Sequence, residues 1–598
     1  MIESNSRRVY KDGTQSWMTK SSGHVNGLDS KSALIHHVSS IIFRGLLFAF
    51  VFGLSTPSFA APADQPRLLA ATPPMGWNDW AHYQCDFTAQ TILNNAHALV
   101  KSGLAARGYN TVTIDDCWMQ KDRDADGNLQ VDPQRFPQGM KPIAQAVHAL
   151  GLKFGIYEDA GYKTCGGFAG SGEIQGGRKN YFVQDTRLFA SWGVDYLKLD
   201  GCYVYLPHGT SQIEAYRKAY AEQSAALKDA GRPIVFSESA PAYFQRQHKS
   251  AAAFLQGTPD WYDVLSWVRG YGQLWREGDD IATFDPKKPD VPRFHEVLWN
   301  YSYNLPLGRF QNPGNWNDPD FIIGGDGGMT MAETRSQLSL WAMMSAPLIL
   351  SSDLDKLSPQ AVAILGNTNV IAVDQDPLGR MATLVRRNPV MDILFKPLRG
   401  GDYAIAVLNH GSAPIQVSLN PIDFGFAANK ECRLDVHNLW SGGHETAVPS
   451  IHAEVESHDT EIVRIHLTSS CGTPTSTGTI TMITTGNSHD VETYSRCLSA
   501  SGSVSNCAGN PSEAWTVTAG GALKSGGSCL SIVDHKPVMQ ACAVSKSQHW
   551  TYTLPGNLLG ADGECLTAVG PDSSSQSLSV RSCGHNRPDQ IWSLPNRL

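Results

Sequence analysis

Eight times between residues 70 and 362 a short apolar run ends in polar or acidic residues and then yields to a helix-like segment. The runs are PPMGWNDW (73–80), NTVTIDDCW (110–118), KFGIYED (153–159), DYLKLDG (195–201), PIVFSES (233–239), QLWREGDD (273–280), NWNDPDFII (315–323) and PLILSSD (347–353). Segments between them, such as 89–108 and 139–151, place apolar residues three and four apart and close near a glycine, as helices do. This alternation predicts an α/β chain whose 70–362 region is a (β/α)8 barrel. The alternative is an open doubly wound sheet, but no Gly-x-Gly-x-x-Gly opens the first helix. The glycine-rich GGFAGSGEIQGG (166–177) follows the third run and lacks that spacing, so it reads as a loop.

The ends of the runs carry the chemistry. Asp115, Asp116, Glu158, Asp159, Asp200, Glu238, Asp279, Asp280, Asp318 and Asp320 all lie there. In a barrel the strand ends converge on one face, where active sites form. Two carboxylates on opposite sides of an anomeric carbon can cleave a glycosidic bond. Pattern alone offers too many acids to choose the pair. In VDYLKLDGC (194–202) Lys198 and Asp200 interrupt a strand otherwise suited to the interior, and buried charges need partners.

The remaining regions read differently. Residues 1–60 start polar, then Arg44 and Gly45 precede an apolar run to Leu54, and Ser58-Phe59-Ala60 suits a cleavage site. This predicts a secretory leader, an uncleaved N-terminal anchor being the alternative. No later stretch is long and apolar enough to span a bilayer, so no stable membrane insertion is expected after leader removal. With a formal net charge of −8 there is no basic excess, and nucleic acid is not an expected partner. From 365 to 467 runs such as YAIAVLNHG and TEIVRIHL alternate apolar and polar residues, predicting a half-buried antiparallel β domain. A Ser/Thr/Gly-rich linker is expected at 468–481. Beyond it, at 482–598, three units share Cys-Leu, a second Cys and a Trp: 497–515, 529–550 and 565–592. Twelve cysteines without a Cys-x-x-Cys suggest disulfides in an exported chain and give no zinc ribbon; no metal or cofactor is expected. The His295-Glu296 pair lacks a second histidine at zinc-site spacing.

The three C-terminal units resemble the ricin-type β-trefoil, a carbohydrate-binding module. That resemblance implies structural roles for the tryptophans and for the cysteines of each repeat: Cys497 and Cys507, Cys529 and Cys542, Cys565 and Cys583. Asp534 is a candidate sugar contact, and Glu513 stands where the family usually has glutamine. Upstream, PPMGWNDWAHYQCD, IDDCWMQKDRDADGNLQVDPQRFPQGM, GIYEDAGYKTCGGFAGS, WGVDYLKLDGCY, NWNDPDF and VIAVDQDPLG closely resemble glycoside hydrolase family 27 from about 70 to 465. These are retaining α-galactosidases and α-N-acetylgalactosaminidases, a barrel followed by a β-sandwich-like domain.

By that resemblance Asp200 is the nucleophile and Asp280 the acid/base, with Asp279 read as a solvated neighbour that faces the other way. Trp80, Asp115, Asp116, Tyr157, Lys198, Arg276 and Asp320 match sugar-binding positions, and Cys85 with Cys117, and Cys165 with Cys202, match disulfides. No pairing is assigned to Cys432 and Cys471. The loop SESAPAY (237–243) carries Ser239 and Ala242, with Tyr243 retained. Animal α-galactosidases of the family have Glu and Leu at the first two positions; α-N-acetylgalactosaminidases have Ser and Ala. The expected function is a secreted, retaining exo-α-galactosidase acting on α-galactoside-containing oligo- or polysaccharides, its trefoil holding a carbohydrate polymer. The alternatives are an α-N-acetylgalactosaminidase, another specificity of the family, or a non-catalytic lectin.

Overall fold

The computed structural model describes residues 68–174, 179–245, 259–483, 495–571 and 575–596. The expected leader, and part of the glycine-rich loop, lie outside these residues. Eight parallel strands form one sheet: β1 Met75–Asn78, β2 Thr111–Ile114, β3 Lys153–Asp159, β4 Tyr196–Asp200, β5 Val235–Glu238, β6 Leu274–Arg276, β7 Trp316–Asp318 and β8 Leu348–Leu350. Their order is β7-β6-β5-β4-β3-β2-β1-β8, and a parallel bridge from Ile322 to Leu350 joins the two ends. Most strands are shorter than the apolar runs that predict them. The acidic tails leave the ladder because side chains take over their backbone N–H groups, as Asp79 does for Asp115 N at 2.7 Å. The helix Ala89–Lys101 buries Ile92, Ala96 and Leu99, and Met140–Ala149 buries Ile143, Ala144 and Val147, the three- and four-residue stripe of the sequence.

Strand register sorts the acids. Lys198 of β4 lies level with Tyr157 of β3 and Ser237 of β5, while Leu199 lies level with Glu158 and Glu238. Because side chains alternate, Glu158 and Glu238 share the outward face with Leu199. Glu158 lies near the ion pair of Arg123, in the loop after β2, with Asp185 of the helix Phe182–Trp192, and Glu238 abuts Gly272. Burial pushes both carboxyls well above the usual range.

The second region begins its strands at Thr383, after short helices Pro359–Leu365 and Thr368–Asp374. Its strands are β9 Thr383–Asn388, β10 Met391–Pro397, β11 Tyr403–Asn409, β12 Ile415–Leu419, β13 Leu434–Asn438, β14 His444–Val448, β15 Ile451–Val455 and β16 Thr460–Leu467. A six-stranded antiparallel sheet, β14-β13-β16-β11-β10-β9, faces the pair β12-β15. The half-buried reading of YAIAVLN is corrected: Ala404 to Asn409 are all buried. Ile405 and Val407 point into the sandwich core, and Ala404, Ala406 and Leu408 join the barrel core. Charges at this seam are paired. Arg387 and Asp392 form a buried bidentate contact, to which Tyr301 donates its hydroxyl at 2.8 Å.

The expected linker is partly sheet. Ser476–Thr479 pairs antiparallel with Ala514–Val517, so the C-terminal unit begins before 482; a Ser/Thr run without charge accepts an extended ladder. Each repeat buries one tryptophan whose indole donates to the carbonyl of its own Cys-Leu leucine: Trp515 to Leu498 at 2.7 Å, Trp550 to Leu530 and Trp592 to Leu566 at 2.9 Å. Glu513 accepts the amides of Ala508 and Gly509, whereas Gln548 and Gln590 both accept and donate. An acceptor-only side chain therefore suffices in the first repeat. The unit is docked on the strand-start side of the barrel. Arg309 donates to Leu554 O at 2.8 Å and Pro555 O at 2.7 Å, and His585 and Asn586 each lie 2.6 Å from Asp263.

Candidate active site

The site occupies the strand-end face. Tyr157, Lys198 and Asp200 project inward from β3 and β4. Asp200 receives Tyr157 Oη on Oδ2 at 3.0 Å, and on Oδ1 Tyr243 Oη at 2.6 Å and its neighbour Gly201 N at 2.9 Å. Burial, reinforced by the Asp200 charge, pushes both phenols well above the ordinary tyrosine value, so they remain donors. Tyr243, sought as a sugar contact, thus grips Asp200. It ends a short 3-10 turn, Ala240–Tyr243, with Ser239 buried at its start and Ala242 half-buried within it.

Lys198 solves the buried-charge problem of its strand. Its Nζ donates to Asp115 Oδ2 at 2.7 Å. Desolvation disfavours its ammonium, but the charges of Asp115, Asp200 and Asp280 outweigh that and hold it protonated above the usual lysine value. Asp115 also receives Asn78 Nδ2 at 2.7 Å and Asp116 N at 3.0 Å. Burial pushes the neighbouring Asp116 up to about 6, although Gly166 N and Cys117 N both donate to it. Trp80 is half-buried at the start of the helix Trp80–Tyr83, after β1.

Across the pocket Arg276 sits between two carboxylates, with Nη2 at 2.9 Å from Asp280 Oδ1 and Nη1 at 3.0 Å from Asp320 Oδ1. The surrounding pocket walls partly desolvate the Asp280 anion, but the charges of Arg276 and Lys198 prevail and hold its carboxyl below the usual range. For Asp320 burial wins over Arg276, and with Asp280 and Asp318 nearby the carboxyl rises to about 7. Asp280 remains 66% exposed. The expectation that strand alternation separates Asp279 from Asp280 is corrected: β6 ends at Arg276, and both residues lie in the following loop. Cys117, Tyr203 and Asp320 hold left-handed φ of 76°, 50° and 79° beside these groups, local strain of the kind that gathers at functional sites.

Several site residues escape the motif reading. Asp79 is fully buried, takes Asp115 N, and is pushed well above the usual carboxylate value by burial and the Asp115 charge. Asp159 lies level with Asp200 but turns to accept Gly161 N at 2.7 Å and Cys202 N at 3.0 Å. It shapes the turn behind Asp200. Cys85 is bonded to Cys117, and Cys165 to Cys202. Elsewhere the pairs are Cys432–Cys471, Cys497–Cys507, Cys529–Cys542 and Cys565–Cys583. Asp534 occupies the exposed two-residue turn between paired Val533 and Lys536, at a hairpin tip.

Comparison with known proteins follows the same division. A family model described as alpha galactosidase A matches residues 72–376, one described as alpha galactosidase C-terminal beta sandwich domain matches 389–465, and one described as ricin-type beta-trefoil lectin domain matches 476–592. The chain is 36% identical to alpha-galactosidase A of Aspergillus niger over 94% of its own length and 99% of that protein. It is 33% identical to an alpha-galactosidase of Cyamopsis tetragonoloba over 65% of its length and 85% of that protein. The crystal structure of alpha-galactosidase I from Mortierella vinacea superposes with a TM-score of 0.55 at 28% identity, covering 67% of this chain and 97% of that one.

Proposed function

The chain belongs to the alpha galactosidase A family, and on that premise we propose that it removes terminal α-D-galactosyl residues by a two-step, configuration-retaining hydrolysis. Asp200 Oδ attacks C1 as the C1–O bond breaks, giving a galactosyl ester and a leaving alcohol. Asp280 gives its proton to that oxygen. It then takes a proton from a water that attacks C1, and Asp200 leaves as the carboxylate.

The observation that carries this reading is geometric: Asp200 ends β4 in the grip of Tyr157 and Tyr243, and at the same strand-end face Asp280 is held by Arg276, the last residue of β6. Tyr157 and Tyr243 orient the nucleophile. Asp115, Asp116, Lys198, Arg276 and Asp320 supply donors and acceptors to the sugar hydroxyls, and Trp80 supplies an apolar wall. Ser239 and Ala242 line the loop expected beside the 2-position. The disulfides and the leader expected at 1–60 support export of the mature protein, and the C-terminal unit holds a carbohydrate polymer near the enzyme.

The test follows hydrolysis of nitrophenyl α-galactoside and nitrophenyl α-N-acetylgalactosaminide by proton NMR. The proposal expects faster turnover of the galactoside and α-galactose as first product. Initial β-galactose, or preference for the acetamido sugar, refutes it.

A further inference from the structure

The Asp280 side chain is largely exposed, and among the described residues its carboxylate is held by Arg276. Its placement therefore depends on the backbone of residues 277–281, which is fixed at nearly every step. Trp261 Nε1 donates to Glu277 O at 2.8 Å, and Arg276 Nη2 to Gly278 O at 3.1 Å. Gln245 Oε1 accepts Asp279 N at 3.2 Å. Asn300 Nδ2 donates to Pro319 O at 2.8 Å and reaches Asp279 O at 3.4 Å. Ile281 N donates to Asp320 Oδ2 at 2.7 Å. Gly278 fills the bracket: a Cβ there would come within 2.5 Å of Gln245 Oε1 and of the Tyr303 ring. Gln245 and Asn300 are both fully buried.

Two of these partners connect the site's halves. Asn300 touches the carbonyls immediately before Asp280 and before Asp320. Gln245 stands two residues beyond Tyr243, whose hydroxyl holds Asp200. The chain Asp200–Tyr243–Gln245–Asp279 thus runs from one proposed catalytic carboxylate to the residue before the other. A double displacement requires its carboxyl groups about 5–5.5 Å apart.

We propose that Gln245 and Asn300 are positioning residues that set the spacing of Asp280 from Asp200, an inference resting on Asp280 as acid/base. Neither touches substrate. Both act by fixing the backbone at Asp279, so their loss should impair proton delivery selectively.

The test uses the full chain with Asn300→Leu and Gln245→Met, two substitutions of similar size, and Asp280→Ala as control. Two substrates are compared: an α-galactosyl disaccharide, whose leaving group needs a proton, and dinitrophenyl α-galactoside, whose leaving group does not. Positioning predicts that kcat/KM falls about 100-fold on the disaccharide. On the dinitrophenyl substrate it changes by less than about 3-fold, because the general-acid contribution is not drawn upon. Retained dinitrophenyl turnover also shows that the variants fold. Equal losses on both substrates, or no loss on the disaccharide while Asp280→Ala shows the selective pattern, overturn the proposal. If Asp280→Ala itself shows no leaving-group dependence, the acid/base reading fails, and the proposal with it.

Discussion

Lys198→Met tests whether the charge inside β4 holds the site together. The lysine is 8% exposed and Asp115 1%, and their contact is 2.7 Å. Removing one partner of a buried ion pair costs about 3–5 kcal/mol because the other charge is left uncompensated. Asp115 keeps its bonds from Asn78 and Asp116, which places the loss near the lower figure, about 3 kcal/mol. At about 2–4 °C per kcal/mol for a domain of this size, calorimetry should show the barrel transition lowered by about 8 °C. The double variant Lys198→Met with Asp115→Asn removes the stranded charge. It should recover about 2 kcal/mol relative to the sum of the two single changes. Recovery stays partial, since Lys198 also faces Asp200 and Asp280. A coupling below about 0.5 kcal/mol, the level seen for independent sites, refutes the pairing.

Three further outcomes follow from the same structure. Because Arg276 and Lys198 hold Asp280 below the usual carboxylate range, kcat/KM on a sugar leaving group should be highest on the acid side of neutral and fall as Asp280 loses its proton; a profile rising through neutral pH contradicts this. Burial pushes Asp374 up to about 8, against the attraction of Lys396, so the folded chain binds the extra proton between about pH 4 and 8 and stability should fall as pH rises through that window. Asp374→Asn should make the fall in thermal midpoint shallower by one group's share, since Asp116, Asp320, Glu158 and Glu238 are raised as well; an unchanged slope refutes the assignment. Arg309→Ala deletes two charged hydrogen bonds from the barrel to the C-terminal unit, each worth about 1.5–3 kcal/mol, and should split off a lower-temperature unfolding transition; an unaltered melting profile argues against a docked unit.

The strand order, the site face and the three-fold C-terminal repeat were legible because each leaves a local trace: a periodicity, a strand-end acid, a Cys-Leu and a Trp. Lys198 and Asp200 stood out as charges in an apolar strand. Alternation, once register is known, removes Glu158 and Glu238 from the pocket, but register is not local. Gln245 and Asn300 left no trace for the same reason. They serve loops that adjoin them only in the folded barrel, and an amide that bonds a backbone carries no motif. The buried Lys396 was equally silent, since its ammonium donates to Ala342 O, Ser345 Oγ and Val373 O across the seam between barrel and sandwich. The two-sided burial of β11 was hidden because its barrel-facing positions include small alanines, which mark close packing only when the opposing helix, Met331–Met344, is known.

In the proposed reaction Asp200 forms a covalent bond to the sugar. Incubation with an activated fluorinated α-galactoside, whose fluorine slows release of the sugar from the enzyme, followed by proteolysis and mass spectrometry, tests it directly. One fluorogalactosyl addition is expected on the peptide containing Asp200, absent in Asp200→Ala. A label on another carboxylate, or turnover with no label while hydrolysis persists in Asp200→Ala, contradicts it.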